Sequence, residues 1–225
     1  MNNTILITGG SRGIGRELAL QAEARGDTVI VTVRNTDADH RLPASIRVEQ
    51  LDVKRPEESA ALAASLDGIA IDTLVCNAGI FPSRGGIREA DYSVEDWVQG
   101  MMTNVAGPFY VVRALLPNLT ASRSPKVAMI SSSMGSSTNA AGGSYIYRAS
   151  KAAVTNLACN LAVELAPQRI AVGAFDPGWV KTDMGTDAAP LNVSNSVAGL
   201  LERIDGLHPD NTGIFETWMG DRMPF

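Results

Sequence analysis

A chain of 225 residues, 45% hydrophobic, can bury a substantial core, and α/β chains of this length commonly form one domain, so a single domain over residues 1–225 is expected. A formal charge of -5 without a basic run gives no footprint for a polyanion, which argues against nucleic acid as a partner. Cys76 and Cys159 alone make no disulfide framework, and His40 and His208 alone make no His-rich metal site, so a reducing, cytoplasmic setting without structural metal is expected. The opening MNNTILITGG has no basic leader region, and Asp72 and Arg113 interrupt the longer apolar stretches, so no membrane association is expected.

In chain order, the first apolar run, Thr4–Thr8, leads into Gly9-Gly10-Ser11-Arg12-Gly13-Ile14-Gly15, which opens a helical segment, Ile14–Arg25. Glycines there let the backbone turn tightly and approach a pyrophosphate, whose charge is met by amides at the helix N-terminus. A lone glycine turn is weak evidence, because ordinary strand-to-helix turns use Gly too. The second run, Thr28–Val33, ends at Arg34; the third, Ile46–Gln50, is followed by Asp52-Val53 and a helix, Pro56–Leu66. The fourth, Ile71–Cys76, precedes Asn77-Ala78-Gly79 and a long helix, Val94–Leu116, that carries Asn104. The fifth, Lys126–Ser131, runs into consecutive hydroxyls, Ser131-Ser132-Ser133, ahead of a helix, Tyr147–Ala166. The sixth, Ile170–Phe175, is followed by Pro177-Gly178, and a late run, Ile214–Trp218, can add a last strand. The segment 181–196, rich in Gly, Pro, Asn, Asp and Ser, reads either as a mobile lid or as a solvated loop.

Apolar runs without polar alternation, separated by helices, predict an α/β fold: a doubly wound, mostly parallel sheet of about seven strands with helices on both faces. Ligands of such sheets bind outside the carboxyl ends of the strands, where strand order reverses, so functional residues should lie just after strands.

Tyr147 and Lys151 are four residues apart and share one face of a helix. Alone this pair proves little, since chance supplies it often. Its coupling to a glycine turn after the first strand, a serine-rich strand end and a Pro-Gly turn is specific. With Thr8 before the turn, the Gly9, Gly13, Gly15 spacing, Asn77-Ala78-Gly79, Asn104 and Tyr147-x-x-x-Lys151, the chain resembles the short-chain dehydrogenases/reductases over nearly its whole length. Within them, the Tyr-Arg-Ala-Ser-Lys segment and the ending Gly213–Phe225 look most like the C-factor and sniffer-like carbonyl reductases.

That resemblance implies a Rossmann fold and an NADP-dependent or NAD-dependent oxidoreductase acting between a small carbonyl compound and its alcohol. Tyr147 would be general acid in reduction and base in oxidation. A phenol is poorly matched to neutral pH, and a neighbouring cation, Lys151, would stabilise its phenolate and hold the nicotinamide ribose. Ser132 would orient the carbonyl, with Ser133 the alternative. Its distance to Tyr147 is two residues longer than the commonest family spacing, so an insertion around Gly142-Gly143-Ser144 must be looped out. Asn104 would hold a water linking Lys151 to solvent; a bland buried hydrogen bond is the other reading.

The cofactor set implied by the resemblance is Gly9, Ser11, Arg12, Gly13, Ile14 and Gly15 in the turn, Asp52 and Val53 at the adenine, Asn77, Ala78 and Gly79 beneath the adenosine, Tyr147 and Lys151, and Pro177, Gly178, Val180 and Thr182 at the nicotinamide. Asp52 could equally cap the helix near Pro56. The second strand ends in Thr32-Val33-Arg34 without the carboxylate that binds the ribose hydroxyls of NAD. Arg34 and Arg12 can instead clamp a 2'-phosphate, which favours NADP. Ile80, Phe81, Met134, Tyr145, Trp179 and Met184 suggest an apolar substrate chamber. A signalling or redox-sensing binder of NADP(H) with little turnover is the competing function. Ala152, Ala153, Ala158 and Ala162 suggest close helix packing, either in a homodimer or homotetramer or against the chain's own sheet.

Overall fold

Strands that are apolar on both faces need cover on both faces, and this decides the architecture. The computed structural model describes residues 3–38 and 40–225; Met1 and Asn2, at the head of the segment read for a leader, lie outside them. Seven strands, β1 (Thr4–Thr8), β2 (Thr28–Val33), β3 (Arg47–Gln50), β4 (Thr73–Cys76), β5 (Lys126–Ile130), β6 (Ala171–Asp176) and β7 (Ile214–Thr217), form one sheet in the order β3-β2-β1-β4-β5-β6-β7. Every neighbouring pair is parallel, with Ile5 opposite both Val29 and Thr73.

Alternate strand residues feed two cores. Leu6, Ile30, Leu74, Met129 and Ala174 face one side, covered by α2 (Pro56–Ser65), α4 (Gly107–Ala114) and α6 (Tyr145–Glu164). Ile5, Ile7, Val31, Val75, Ala128 and Phe175 face the other, under α1 (Gly13–Ala24) and α7 (Val193–Asp205). Phe175 and Phe215 are fully buried, and truncating either to Ala should cost about 3–5 kcal/mol. The chain lays β1, β2 and β3 outward in one direction, then returns to start β4 on the other side of β1. That reversal opens a crevice at the carboxyl ends of β1 and β4.

The expected seven-stranded doubly wound sheet is present, with strand ends within two residues of the sequence reading. Three local differences matter. The long helix read over 94–116 is divided: α3 (Val94–Met101) passes through a π turn, Met102–Ala106, into α4, followed by the short α5 (Leu116–Thr120). Pro108 has no amide hydrogen to give the Asn104 carbonyl, and its ring crowds that carbonyl, so the α-helical ladder cannot continue there. The loop read to Ser196 stops earlier, because α7 begins at Val193; its Val197, Leu200, Leu201 and Ile204 form a buried stripe at helical spacing that draws the polar first turn into the helix. Finally, α6 starts at Tyr145, two residues before the expected Tyr147.

Ala158 and Ala162 are buried within the chain's own core beneath α6, which accounts for half of the alanine stripe. Among the described residues no helix is long and apolar enough to cross a membrane.

Candidate active site

A cleft of about 500 Å³ lies at the carboxyl ends of the strands, and the glycine turn forms one wall. The turn is built by backbone contacts. Gly9 and Gly10 both donate their amides to the Thr32 carbonyl. Asn77 donates from its side chain to the Thr8 and Gly9 carbonyls at 2.9 and 3.1 Å, and the Thr8 hydroxyl accepts the Asn77 and Ala78 amides. A Cβ at Gly15 would lie 2.3 Å from the Gly9 carbonyl oxygen, so only glycine fits. No side chain caps the N-terminus of α1, and Ser11, Gly13 and Ile14 line the cleft beside it. An uncapped helix start facing a cleft suits a pyrophosphate.

At the far end, Arg34 is exposed at the tip of β2, and no carboxylate among the described residues pairs with it. The neighbouring Thr32 hydroxyl is buried without a hydrogen-bond partner and borders the same cleft. An orphaned hydroxyl and a guanidinium that no carboxylate pairs among the described residues fit a phosphorylated ribose. Arg12 borders the same cleft and forms an exposed ion pair with Asp183 at 2.7 Å, which ties the glycine turn to the segment after β6. Asp52 leaves α2 uncapped; its carboxylate accepts the Lys54 amide, while the Lys54 ammonium bonds Gln99 at 2.7 Å. Val53 is buried against Gly107. Lys54, Gln99 and Thr32, unforeseen in the sequence, all border the cleft.

The three consecutive serines diverge onto three partners. Ser131 is fully buried and bonds the Lys151 carbonyl and the Thr155 hydroxyl, pinning the strand end to α6. The Ser132 hydroxyl accepts the Met134 amide at 3.2 Å and lies beside the Tyr147 phenol. Ser133 lies beside the Asp176 carboxylate. Of the two alternatives, Ser132 therefore faces the tyrosine. The serine turn crosses α6 so closely that a Cβ at Gly135 would meet the Lys151 carbonyl carbon at 2.6 Å.

Tyr147 is 8% and Lys151 6% exposed. Burial pushes the Tyr147 phenol up to about 12, partly opposed by the neighbouring Ser132 hydroxyl. Burial also brings the Lys151 ammonium down to about 8, against the pull of Asp176. The ammonium donates to the Ile130 carbonyl at 2.7 Å and lies 5.5 Å from the centre of the Tyr147 ring. The Asn104 side chain exchanges two hydrogen bonds with the Ile80 backbone and donates a third to Ser150, each 2.9 Å, and so fixes the Gly79–Ile80 turn.

Loops enclose the other side. Phe81 stacks on Tyr147 with centroids 4.0 Å apart and planes 4° apart, and the Arg84 guanidinium lies 4.1 Å above the opposite face of Phe81. Arg84 also donates to the Met184 carbonyl. Residues 142–144 are left-handed, and the Ser144 amide bonds the Gly85 carbonyl at 2.8 Å, so the extra residues loop out onto the Phe81–Gly85 segment. Tyr145 meets Tyr92 edge-on, and Met134 is the middle residue of the short helical turn Ser133–Gly135. Trp179 is largely exposed, its indole donating to Gly185. Gly178 turns the chain at φ 78°, Val180 is buried and bridges Leu191, and Pro177 and Thr182 border the cleft. Gly178, Val180, Ser132 and Asn104 support the cleft from behind its lining.

A sequence model described as "short chain dehydrogenase" matches residues 3–191. C-signal of Myxococcus xanthus is 36% identical over 156 residues, covering 69% of this chain and 93% of that protein. The structure of carbonyl reductase Sniffer of D. melanogaster superposes with a TM-score of 0.93 at 29% identity over 100% of both chains. That of an NADPH-bound carbonyl reductase from chicken fatty liver superposes with a TM-score of 0.92 at 28% identity, covering 100% of this chain and 99% of that one.

Proposed function

The chain belongs to the short-chain dehydrogenase family, and on that premise we propose that it is an NADP(H)-dependent oxidoreductase interconverting a small carbonyl compound and its alcohol. The observation that carries this reading is that Tyr147 and Lys151 line the same cleft as an uncapped, glycine-lined helix start, with Ser132 beside the Tyr147 phenol just behind that lining. NADPH-bound and carbonyl-reducing structural neighbours support the cofactor and the reaction class.

Bound nicotinamide would supply the hydride. Gly9, Gly13, Gly15 and the first amides of α1 would hold the pyrophosphate, Arg34 and the Thr32 hydroxyl the 2'-phosphate side, and Asp52 and Val53 the adenine side. Ser132 would hold the substrate carbonyl against the Tyr147 hydroxyl. With its phenol pushed up to about 12 by burial, Tyr147 carries its proton at neutral pH, and bringing it toward the range of an effective general acid falls to the charge of Lys151. Lys151 would offset the charge left on the phenolate, and it has two ammonium hydrogens beyond the one given to Ile130 for the ribose. Asn104 would keep the Gly79–Ile80 turn and, through Ser150, the start of the Tyr147–Lys151 helical turn in register. The half-exposed apolar groups Phe81, Tyr145, Trp179 and Met184 suit an apolar substrate body. A homodimer or homotetramer remains part of the proposal, through the outer face of α6.

Consumption of NADPH and NADH with a panel of aldehydes and ketones, compared between wild type and Tyr147→Phe, tests the reading. Carbonyl-dependent NADPH consumption by wild type alone is the expected result. A preference for NADH would overturn the cofactor assignment. Tight NADPH binding without turnover of any carbonyl would favour the sensor function.

A further inference from the structure

We propose that Arg148, the residue after Tyr147 on α6, is a positioning residue of the substrate side: its guanidinium gathers three main-chain carbonyls and fixes the connection between Ser132 and Tyr147 as a formed wall of the site. The inference rests on the reading of Ser132 and Tyr147 as the pair that meets the substrate carbonyl.

The connection ends in an awkward stretch of backbone. Gly142, Gly143 and Ser144 are left-handed in succession, Ser144 without the freedom of glycine, and no side chain caps the start of α6. Arg148 closes this stretch from within the helix. Its Nε donates to the Gly142 carbonyl at 3.1 Å, and one terminal nitrogen is shared between the Met134 and Asn139 carbonyls at 3.4 and 3.5 Å. Its amide donates to the Ser144 carbonyl at 3.0 Å. A planar fork of several donors suits acceptors spread around it, as an ammonium does not. The place is otherwise a poor one for a cation: Arg148 lies in the first turn of α6, where the helix dipole favours negative charge, and its donors meet carbonyls rather than a carboxylate.

Two of the three carbonyls lead back to Tyr147. Met134 is the link to Ser132: its amide donates to the Ser132 hydroxyl, and its carbonyl goes to Arg148. A single residue therefore joins the guanidinium to the hydroxyl beside the phenol. Gly142 is the link to the facing loop, because the next two residues dock on Gly85. The Ser144 amide bonds the Gly85 carbonyl, which also accepts the Tyr92 hydroxyl, and a Cβ at Gly143 would stand 3.1 Å from the same oxygen. The segment that ends at Gly85 lays Phe81 on the Tyr147 ring. Ser132 on one flank and Phe81 on the other are thus held against Tyr147 through the connection that Arg148 closes. Neither Arg148 nor any of its three acceptors borders the cleft that includes the glycine turn, so loosening the connection should leave the cofactor end intact.

In Arg148→Ala, kcat/KM for a carbonyl substrate should fall roughly tenfold, the effect of losing one good positioning hydrogen bond, with the NADPH dissociation constant unchanged. Arg148 is half-buried, so its vacated place is open to solvent, and guanidinium ion at low concentration should restore part of the lost turnover while leaving wild type unaffected. Arg148→Lys should show a smaller loss in the same direction, since an ammonium cannot span the three carbonyls; should Arg148→Ala fail to fold, the Lys variant carries the test. Wild-type kcat/KM in Arg148→Ala overturns the inference, as do equal losses toward carbonyl and NADPH without rescue by guanidinium, which would mark a merely structural role. Hydrogen exchange reads the same claim without turnover: the amides of residues 134–144 should exchange faster in Arg148→Ala, and those of β5 at the wild-type rate. Unchanged exchange over 134–144 overturns the inference. If the wild-type protein reduces no carbonyl, the oxidoreductase reading falls while the exchange rates still decide whether Arg148 closes the connection.

Discussion

The two ends of the cleft are built by opposite means. At the phosphate end, glycines, backbone amides and exposed arginines face solvent: Arg34 has no carboxylate partner among the described residues, and Arg12 is held only by an exposed ion pair with Asp183. At the catalytic end, Tyr147, Lys151, Ser132 and Asp176 are nearly enclosed, and their ionisation is set by what lies inside. The difference teaches where each function is vulnerable. Charge in the exposed half is screened and replaceable, whereas in the buried half each group is tuned by the removal of water.

Four experiments sharpen that contrast. The largest effect should come from Tyr147→Phe, which removes the proton donor and leaves the ring packed on Phe81; turnover should drop roughly a thousandfold with NADPH binding retained in a fluorescence titration. Next is Gly15→Ala at the phosphate end. Its Cβ has no space against the Gly9 carbonyl, so overpacking should destabilise the fold by about 1–3 kcal/mol and weaken cofactor binding, read by thermal melts with and without NADPH. Equal melting of variant and wild type would mean that the turn relaxes freely. Arg34→Gln should raise the KM for NADPH by roughly 10–100-fold, the worth of one charge-assisted hydrogen bond. The KM for NADH should stay the same, and the NADPH preference should shrink as salt rises. Smallest is Asp183→Asn: the Arg12–Asp183 pair is exposed on both sides, so stability should change by no more than about 0.5 kcal/mol. Any effect should be a modest tightening of NADPH, as Arg12 loses its competing anion. Tightening as large as the loss from Arg34→Gln would break the contrast, because an exposed pair would then be controlling the site.

Sequence reasoning reached furthest where physical chemistry is local. The strands were legible because burial on both faces leaves unbroken apolar runs, and the glycine turn and the Tyr147–Lys151 pair because fixed spacings carry their geometry. Ser132 and Ser133 could not be separated that way, since adjacent hydroxyls differ only in which neighbouring strand or helix they meet. Asp176 was overlooked although it directly precedes Pro177-Gly178; a carboxylate at a strand's carboxyl end is a signal, but its burial depends on β5 lying beside β6. Arg84 and Lys54 gave no signal, because Met184, which Arg84 meets beyond its neighbour Phe81, and Gln99, which Lys54 meets, come from distant segments. α7 was hidden by its first turn, Val-Ser-Asn-Ser, whose polar composition imitates a loop.

The π turn at Met102–Ala106 has a consequence for how one long segment serves two tasks. Each residue of an α-helix advances its direction by about 100°, so a turn holding one extra residue shifts the phase of everything downstream by that amount. Before the turn, α3 packs on α6, the helix of the proposed catalytic pair; after it, α4 packs on α2 beneath the core. An uninterrupted helix would keep a single apolar stripe and could satisfy only one of those neighbours along its length. The phase slip, located where Pro108 withholds its hydrogen from Asn104, lets the same stretch of chain brace the site with one half and close the hydrophobic layer with the other.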